Sequence, residues 1–421
     1  MTSIPRTTRR IRPGGQKRLV SGGFLLVIIY FIFEYLRVQD NVAPFMAAIK
    51  VPALITLSLC VFFLRTEKEY LKDPIVLALL FFFIEIVSWV PFAKNNFYAF
   101  QTARNMFITL VSVFALVASI NSEDRLFYFL KFYSILLFII AIWVLTHGGV
   151  GPGGFLQDEN DVALVLVTGL PIVFYILIGS EDKVERVLGL VIFVLVVSAV
   201  VASASRGGFL GLVSSLLFML WSSRKRWRNI ALVFFLSISV GGVFVALLPD
   251  DYVAEVKSIK NTNEGTANIR FLHWTTAIEI FKDNPVWGVG PNNYPWTSGD
   301  YLHLSPYFVE GARFRSGRQA HSLYFTLIPE LGVVGISLFF FMTYKYFKRF
   351  RKLGRSSTDL SHRKLNILAI SKAMKAAMVG FLVTAAFISV LYYPVYWHLL
   401  GLSVVIFRIA QKPEGLDHGD H

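Results

Sequence analysis

Val187–Ala204 reads VLGLVIFVLVVSAVVASA, eighteen residues without one charged side chain. An α-helix rises about 1.5 Å per residue, so a run of this length and composition is long enough to enter and cross a bilayer's hydrocarbon core. Ser205-Arg206-Gly207-Gly208 interrupts it, and a second apolar run, 208–222, follows at once. Two such runs with a short polar break predict two membrane spans joined by a tight connection.

The same pattern recurs in both directions. Apolar runs at 19–36, 43–64, 74–92, 99–120, 126–146 and 161–179 precede the pair, and runs at 229–248, 322–344, 370–391 and 394–410 follow it. The prediction is an all-α polytopic membrane protein of about 12 transmembrane helices. The composition agrees. Residues are 55% hydrophobic and 16% charged, with a mean hydropathy of +0.58, against about 25% charged in soluble domains. A single cysteine, Cys60, sits inside an apolar run, which excludes a disulfide framework and a cysteine metal site. The first 18 residues are basic and run into an apolar stretch. No small-residue cleavage site follows before Glu34 and Arg37, so the stretch is expected to stay as the first span.

The net charge of +14 raises the question of nucleic acid, and its distribution argues against it. One side of the predicted membrane receives Arg6, Arg9, Arg10, Arg12, Lys17 and Arg18, then Arg224, Lys225, Arg226 and Arg228, then the basic Lys345–Lys364 cluster. The other receives short connections holding Arg37, Lys94 and Arg206, and one long segment, 249–321. Basic loops mark the cytoplasmic side. Both termini are therefore expected in the cytoplasm and 249–321 outside, dividing the chain into 1–248, 249–321 and 322–421. Within the outer segment, Arg270–Lys282 reads as an amphipathic helix with Phe271, Trp274, Ile278 and Phe281 at helical spacing, ended by Asn284-Pro285.

Three outward features carry candidate chemistry. The loop His147–Asp161, HGGVGPGGFLQDEND, places Asp158, Glu159 and Asp161 at the mouth of the sixth span. A solvated loop with an acidic helix cap explains it equally well, and Asp158 with Asp161 also offers oxygen ligands to a hard cation. Arg206, flanked by glycines, can meet an anion through paired N–H donors, or snorkel to headgroups. Finally, Arg270, then Arg313, Arg315, Arg318 and His321 crowd the entrance of the tenth span, with Glu330 inside it. An ionisable residue within a span is a functional candidate, although Glu330 can equally close a polar contact between helices. Arginines suit a phosphate-rich ligand, and a histidine titrating near neutrality suits a general base. No Walker-type loop is present, and ATP is lacking outside the cytoplasm. The activated bond must then arrive on the substrate, as it does in a lipid-linked diphosphate sugar.

These residues fall into a familiar order. Gly154-Phe155 with Asn160-Asp161-Val162-Ala163 is followed by Ser205-Arg206-Gly207-Gly208. Arg270 with Trp274 then runs into Asn284-Pro285-Val286-Trp287-Gly288-Val289-Gly290-Pro291-Asn292-Asn293-Tyr294. Ala320-His321-Ser322-Leu323-Tyr324 and Glu330-Leu331-Gly332-Val333-Val334-Gly335 close the series. In this the chain resembles the O-antigen ligase and polymerase superfamily of bacterial membrane glycosyltransferases, by motif over roughly 140–340 and by span count throughout. One departure is Ser322, where the family often shows Asn after the histidine.

The resemblance implies a glycosyltransferase-C-like fold in the bacterial inner membrane, with one long periplasmic loop. It implies transfer of a glycan from an undecaprenyl diphosphate carrier to an acceptor hydroxyl, with no cofactor and no metal. The acceptor is lipid A-core in the ligases, toward which the reading leans, and a lipid-linked glycan in the polymerases. Arg206 and Arg270 would hold the diphosphate, and His321 would orient or deprotonate the acceptor. Asn160 and Asp161 would form the rim, and Arg313, Arg315 and Arg318 would add donor contacts. Two other classes compete. A polysaccharide flippase or anion transporter fits twelve spans, but no internal repeat or matched pair of broken helices accompanies them. An envelope scaffold leaves Arg206, Arg270 and His321 unexplained as a set.

Overall fold

The computed structural model describes residues 21–66, 68–222, 268–309, 317–356 and 362–411. The predicted ninth span, 229–248, and Arg313 and Arg315 lie outside the described residues. Among those described, every regular element is helical. In chain order the main helices are α1 (Gly22–Leu36), α2 (Val51–Arg65), α3 (Pro74–Ser88), α4 (Asn96–Ser119), α5 (Glu123–Thr146), α6 (Glu159–Ile172), α7 (Lys183–Ala202) and α8 (Arg206–Trp221). Then come α9 (268–283), α10 (Tyr294–Tyr301), α11 (Leu323–Ser356), α12 (His362–Ala385) and α13 (Pro394–Gln411). Six helices are long and apolar enough to cross a membrane: α4, α5, α6 with its extension to Ile178, α7, α11 and α12. α1, α2, α3 and α8 are shorter apolar helices. The chain is a multi-pass membrane protein.

Local chemistry explains where the helices start and stop. Ser21, Asp73, Asn95, Ser122, Asp158, Asp182 and Ser205 each cap a helix by accepting a backbone N–H, the role short polar side chains fill best. Pro171 lacks a donor, and α6 loosens directly after it into the π-helical turn Val173–Ile178. Two expected spans are shorter than their apolar runs. The second begins at Val51 rather than 43, because 43–50 folds around a single turn, Phe45–Ala48. The eleventh ends at Ala385 rather than 391, and 386–393 turn back ahead of Pro394, whose ring disfavours helix in the residue before it.

Small residues set the centre of the bundle. α12 packs against α6, α8 and α11. A Cβ on Gly211 would lie 1.8 Å from Thr384 Oγ1, and one on Gly208 would lie 2.5 Å from the Ala163 methyl. These glycines let three helices approach backbone to backbone. At one end of the bundle Asp73 pairs with Arg349 Nη2 at 2.5 Å, and Arg408 donates to the Val117 and Ile120 carbonyls that end α4. The opposite end gathers the connections that carry the candidate chemistry. Asn41 donates to Pro152 O, Ser205 to Asn160 Oδ1, and Trp89 to Trp287 O.

Candidate active site

The segment after α9 is built into a break in α11. Gly332 adopts φ 56°, ψ −156°, a conformation essentially confined to glycine. The break frees backbone groups that the NPVWGVG stretch takes up. Val289 and Gly290 donate to the carbonyls of Pro329 and Glu330, while Val333 and Val334 donate to those of Pro285 and Val286. Gly288 lies so close that a Cβ would sit 2.3 Å from the Glu330 carbonyl carbon. Fully buried Glu330 completes the joint, accepting from the N–H groups of Asn292 at 2.7 Å and Tyr294 at 3.1 Å, and from the Tyr392 hydroxyl at 2.6 Å. Glu330 thus anchors the segment 285–294, besides linking α11 to the α12–α13 turn. Asn293 adds a reciprocal pair, donating to Asn95 O and accepting from Asn95 N–H. Lys94 meets Asp300 at 2.5 Å alongside.

α9 is a helix, as expected, but the face it buries differs from the predicted one. Leu272, His273, Thr276, Ala277 and Ile280 are buried, whereas Phe271 and Ile278 are largely exposed. The apolar stripe is used piecemeal instead. Phe271 stacks on Tyr307, and Trp274 stacks on Phe325 at 4.9 Å between centroids. Trp274 also donates from its indole nitrogen to Ala320 O at 3.0 Å. Arg270 and Trp274 are four residues apart and share a helix face. The tryptophan therefore clamps the residue before His321 while the arginine beside it faces the same corner.

The resulting cluster is strongly positive. Arg206 opens α8 and is exposed, Arg270 and Arg318 are half-buried, and His321 is open to solvent on one side. Desolvation, and then the Arg206 charge, lower the Arg270 pKa. The His321 pKa is lowered from the ordinary histidine range by desolvation first and then by Arg270. Asp158 pulls it the other way, and Arg318 adds to the lowering. His321 is therefore held neutral, with a free base available at neutral pH. His273 nearby is pushed down to about 4, first by burial and further by the positive neighbourhood that includes Arg318. Its Nδ1 meets the Tyr294 hydroxyl at 3.0 Å. Backbone strain collects here as well: Ala204 (φ 52°), Asn292 (φ 54°) and His321 (φ 50°) are left-handed non-glycine residues, each costing about 1–3 kcal/mol. Like charges and backbone strain thus meet at one corner of the fold.

Residues 190–340 match the family model described as O-antigen ligase. That stretch, just over a third of the chain, is similar to this family. A comparison with curated proteins finds no match. The matched stretch holds Arg206, Arg270, Arg318, His321 and Glu330.

The contacts of the expected site residues are specific. The glycines after Arg206 do not clear a path for it. Gly207 and Gly208 are buried, and a Cβ on them would meet Phe387 and Ala163, so they seat α8 against its neighbours and leave Arg206 at the exposed edge. Asn160 acts on the protein itself: it donates to Asp158 Oδ1 at 2.7 Å and accepts from Ser205 at 2.7 Å. Ser205 in turn caps Gly208 N–H at 3.0 Å. Asn160 thereby fixes the helix terminus that carries Arg206. Asp161 is 7% exposed and accepts from the Tyr393 hydroxyl at 3.4 Å. Asp158 accepts the cap hydrogen bond from Asn160 N–H. Among the described residues no group of three or more His, Cys, Asp or Glu is placed to hold a metal ion. Ser322, the departure from the family pattern, accepts from Phe325 N–H at the start of α11, a capping role that Asn fills equally well. Sequence reading missed Tyr392 and Tyr393, which bind Glu330 and Asp161. The only signal was the Tyr-Tyr-Pro turn itself.

Proposed function

We propose that this protein transfers a glycan from undecaprenyl diphosphate to an acceptor hydroxyl at the periplasmic face of a bacterial inner membrane, as an O-antigen ligase. The observation that carries this reading is the positive cluster of Arg206, Arg270 and Arg318 around a neutral His321. In this reading about twelve helices span the membrane, both termini are cytoplasmic, and 249–321 is the periplasmic segment between 1–248 and 322–421.

The chemistry follows from the charges. Arg206 and Arg270 bind the diphosphate and stabilise the negative charge that grows on it as it leaves. Arg318 adds a donor contact, as do Arg313 and Arg315. The acceptor oxygen attacks the anomeric carbon while the bond from that carbon to the diphosphate oxygen breaks. His321 takes the proton from the acceptor hydroxyl, and undecaprenyl diphosphate departs with the bonding electron pair. Attack opposite the leaving group inverts the anomeric centre. No step in this scheme calls for a metal ion, and activity that chelator abolishes and Mg²⁺ or Mn²⁺ restores would overturn that part of it.

Purified protein given undecaprenyl diphosphate–linked oligosaccharide tests the reading, with lipid A-core and carrier-linked repeat units offered separately. Modified lipid A-core is the expected product. Chain growth on the carrier would make the protein a polymerase with the same donor site, and anomeric NMR of the new linkage with retained configuration would refute direct displacement.

A further inference from the structure

A cavity of about 710 Å³ opens at the same end of the bundle, between α1, α2 and α4. That size falls within the range of small-molecule binding sites, and none of the residues assigned above to the diphosphate or to proton transfer lines it. Its wall mixes two guanidinium groups, Arg37 and Arg104, with the Glu34 carboxyl and the amides of Gln39 and Asn105. Aromatic rings of Phe155, Tyr392 and Tyr393 complete it. Planar polar groups beside aromatic faces are the chemistry that holds a sugar: the former bond its hydroxyls and the latter cover its apolar faces.

Two features show that the wall is built. Arg37 ends α1 in a left-handed conformation, φ 51°, and lies across the glycine loop. A Cβ on Gly154 would come within 2.9 Å of its Cδ and 3.0 Å of its Nε, and Asp40 holds that Nε at 2.7 Å. Gly154 thus makes room for a guanidinium. Gln39 is 3% exposed, and its Oε1 has no hydrogen-bond partner among the described residues. Leaving a buried acceptor without a donor is costly, and such a group calls for a partner that a ligand would supply.

The cavity also adjoins the reacting centre. Tyr393, in its wall, donates to Asp161, one residue from Asn160, which holds the Ser205 cap beside Arg206. Asp158, on the same loop, lies close enough for its charge to act on both Tyr393 and His321. Between α1 and α2 the chain exposes Val42, Phe45 and Ile49, an apolar lip suited to lipid rather than water.

We propose that this cavity receives the glycan of a membrane-anchored acceptor, so that the acceptor hydroxyl reaches His321 from the side opposite the arginines that hold the donor. The proposal rests on the glycosyltransferase reading above and adds where the second substrate sits. Two variants test it: Arg104→Gln, which removes a charge from an exposed side chain, and Ala53→Trp, which fills the cavity from α2. Steady-state transfer from undecaprenyl diphosphate–linked oligosaccharide to lipid A-core or to carrier-linked glycan is measured for each, after thermal unfolding confirms the fold. The KM for acceptor rises at least tenfold in both, and the KM for donor stays within twofold. A rise confined to the donor KM, or no change in either, overturns the proposal. Wild-type protein that transfers to neither acceptor refutes the transferase reading instead. In that case equilibrium binding of fluorescent lipid A-core glycan decides for the cavity. Binding lost in Ala53→Trp supports it, and equal or undetectable binding in both proteins overturns it.

Discussion

Replacing Glu330 by alanine removes the acceptor for three donors at once: the N–H groups of Asn292 and Tyr294 and the hydroxyl of Tyr392. Leaving a buried donor unsatisfied costs about 1–3 kcal/mol. The Asn292 contact is only part-buried, so its loss falls at the low end, and the three together give about 3–6 kcal/mol. The damage is also local. With the carboxyl gone, the segment 285–294 keeps its four backbone hydrogen bonds to the α11 break and its contacts with Trp89 and Asn95, but its Asn292–Tyr294 end loses the link to the α12–α13 turn. Glu330→Gln preserves an acceptor oxygen but turns an amide N–H₂ toward a remaining donor, so it should lose roughly half as much. Unfolding by SDS titration in mixed micelles measures both. Limited proteolysis near 285–294 should quicken in the same order. A cost for Glu330→Ala below about 1 kcal/mol, or one equal to that of Glu330→Gln, would refute the idea that this carboxyl anchors the segment.

Other consequences follow from the same contacts. His273 binds a proton far less readily in the fold, at about 4, than in an unfolded chain, at about 6.5. The unfolded state therefore holds more protons between these values, and stability falls as pH drops from about 6.5 to 4, by up to roughly 3 kcal/mol. His273→Gln should flatten that dependence in acid unfolding curves. If His321 acts as the base, the acid limb of kcat/KM lies below the ordinary histidine pKa. Asp158→Asn, which keeps the helix cap but removes the opposing charge, should move that limb further down, and an upward shift would contradict the assignment. Gly211→Ala places a methyl where Thr384 Oγ1 stands at 1.8 Å. It should destabilise the α8–α12 contact by about 1–3 kcal/mol, partly relieved by Thr384→Ala, which removes the clashing hydroxyl.

Much of the helical framework was legible because a bilayer demands long apolar runs, and a run such as 187–204 has little else to be. Helix ends were less legible, since hydropathy cannot see turn chemistry. The apolar letters of 386–391 continue past Ala385, yet the chain turns ahead of Pro394. Arg206 and His321 could be picked out because charge at the end of an apolar run stands out, and Arg270 because it opens an amphipathic helix. Their supports could not. Asn160 and Ser205 are 45 residues apart, and Glu330 and Tyr392 are 62 apart, so spacing carries no trace of either contact. The Arg37–Gly154 contact has the same character. The glycines of 147–161 read as a turn-rich loop, and only the fold reveals that a guanidinium lies across them. For α9 the apolar pattern pointed to Phe271 and Ile278, but the neighbours that fix the buried face, Tyr294 and Ala320, lie in other elements.

The central claim is that a guanidinium cluster and a neutral histidine move a glycan off a diphosphate carrier. The most direct measurement is release of undecaprenyl diphosphate from a labelled carrier-linked oligosaccharide by purified protein, with acceptor present, for wild type and for Arg206→Ala, Arg270→Ala and His321→Ala. The account predicts acceptor-dependent release by the wild type, lost at least a hundredfold in each variant, with donor binding weakened in the two arginine variants and kept in His321→Ala. Release that persists in well-folded variants, or full activity in His321→Ala, would contradict it.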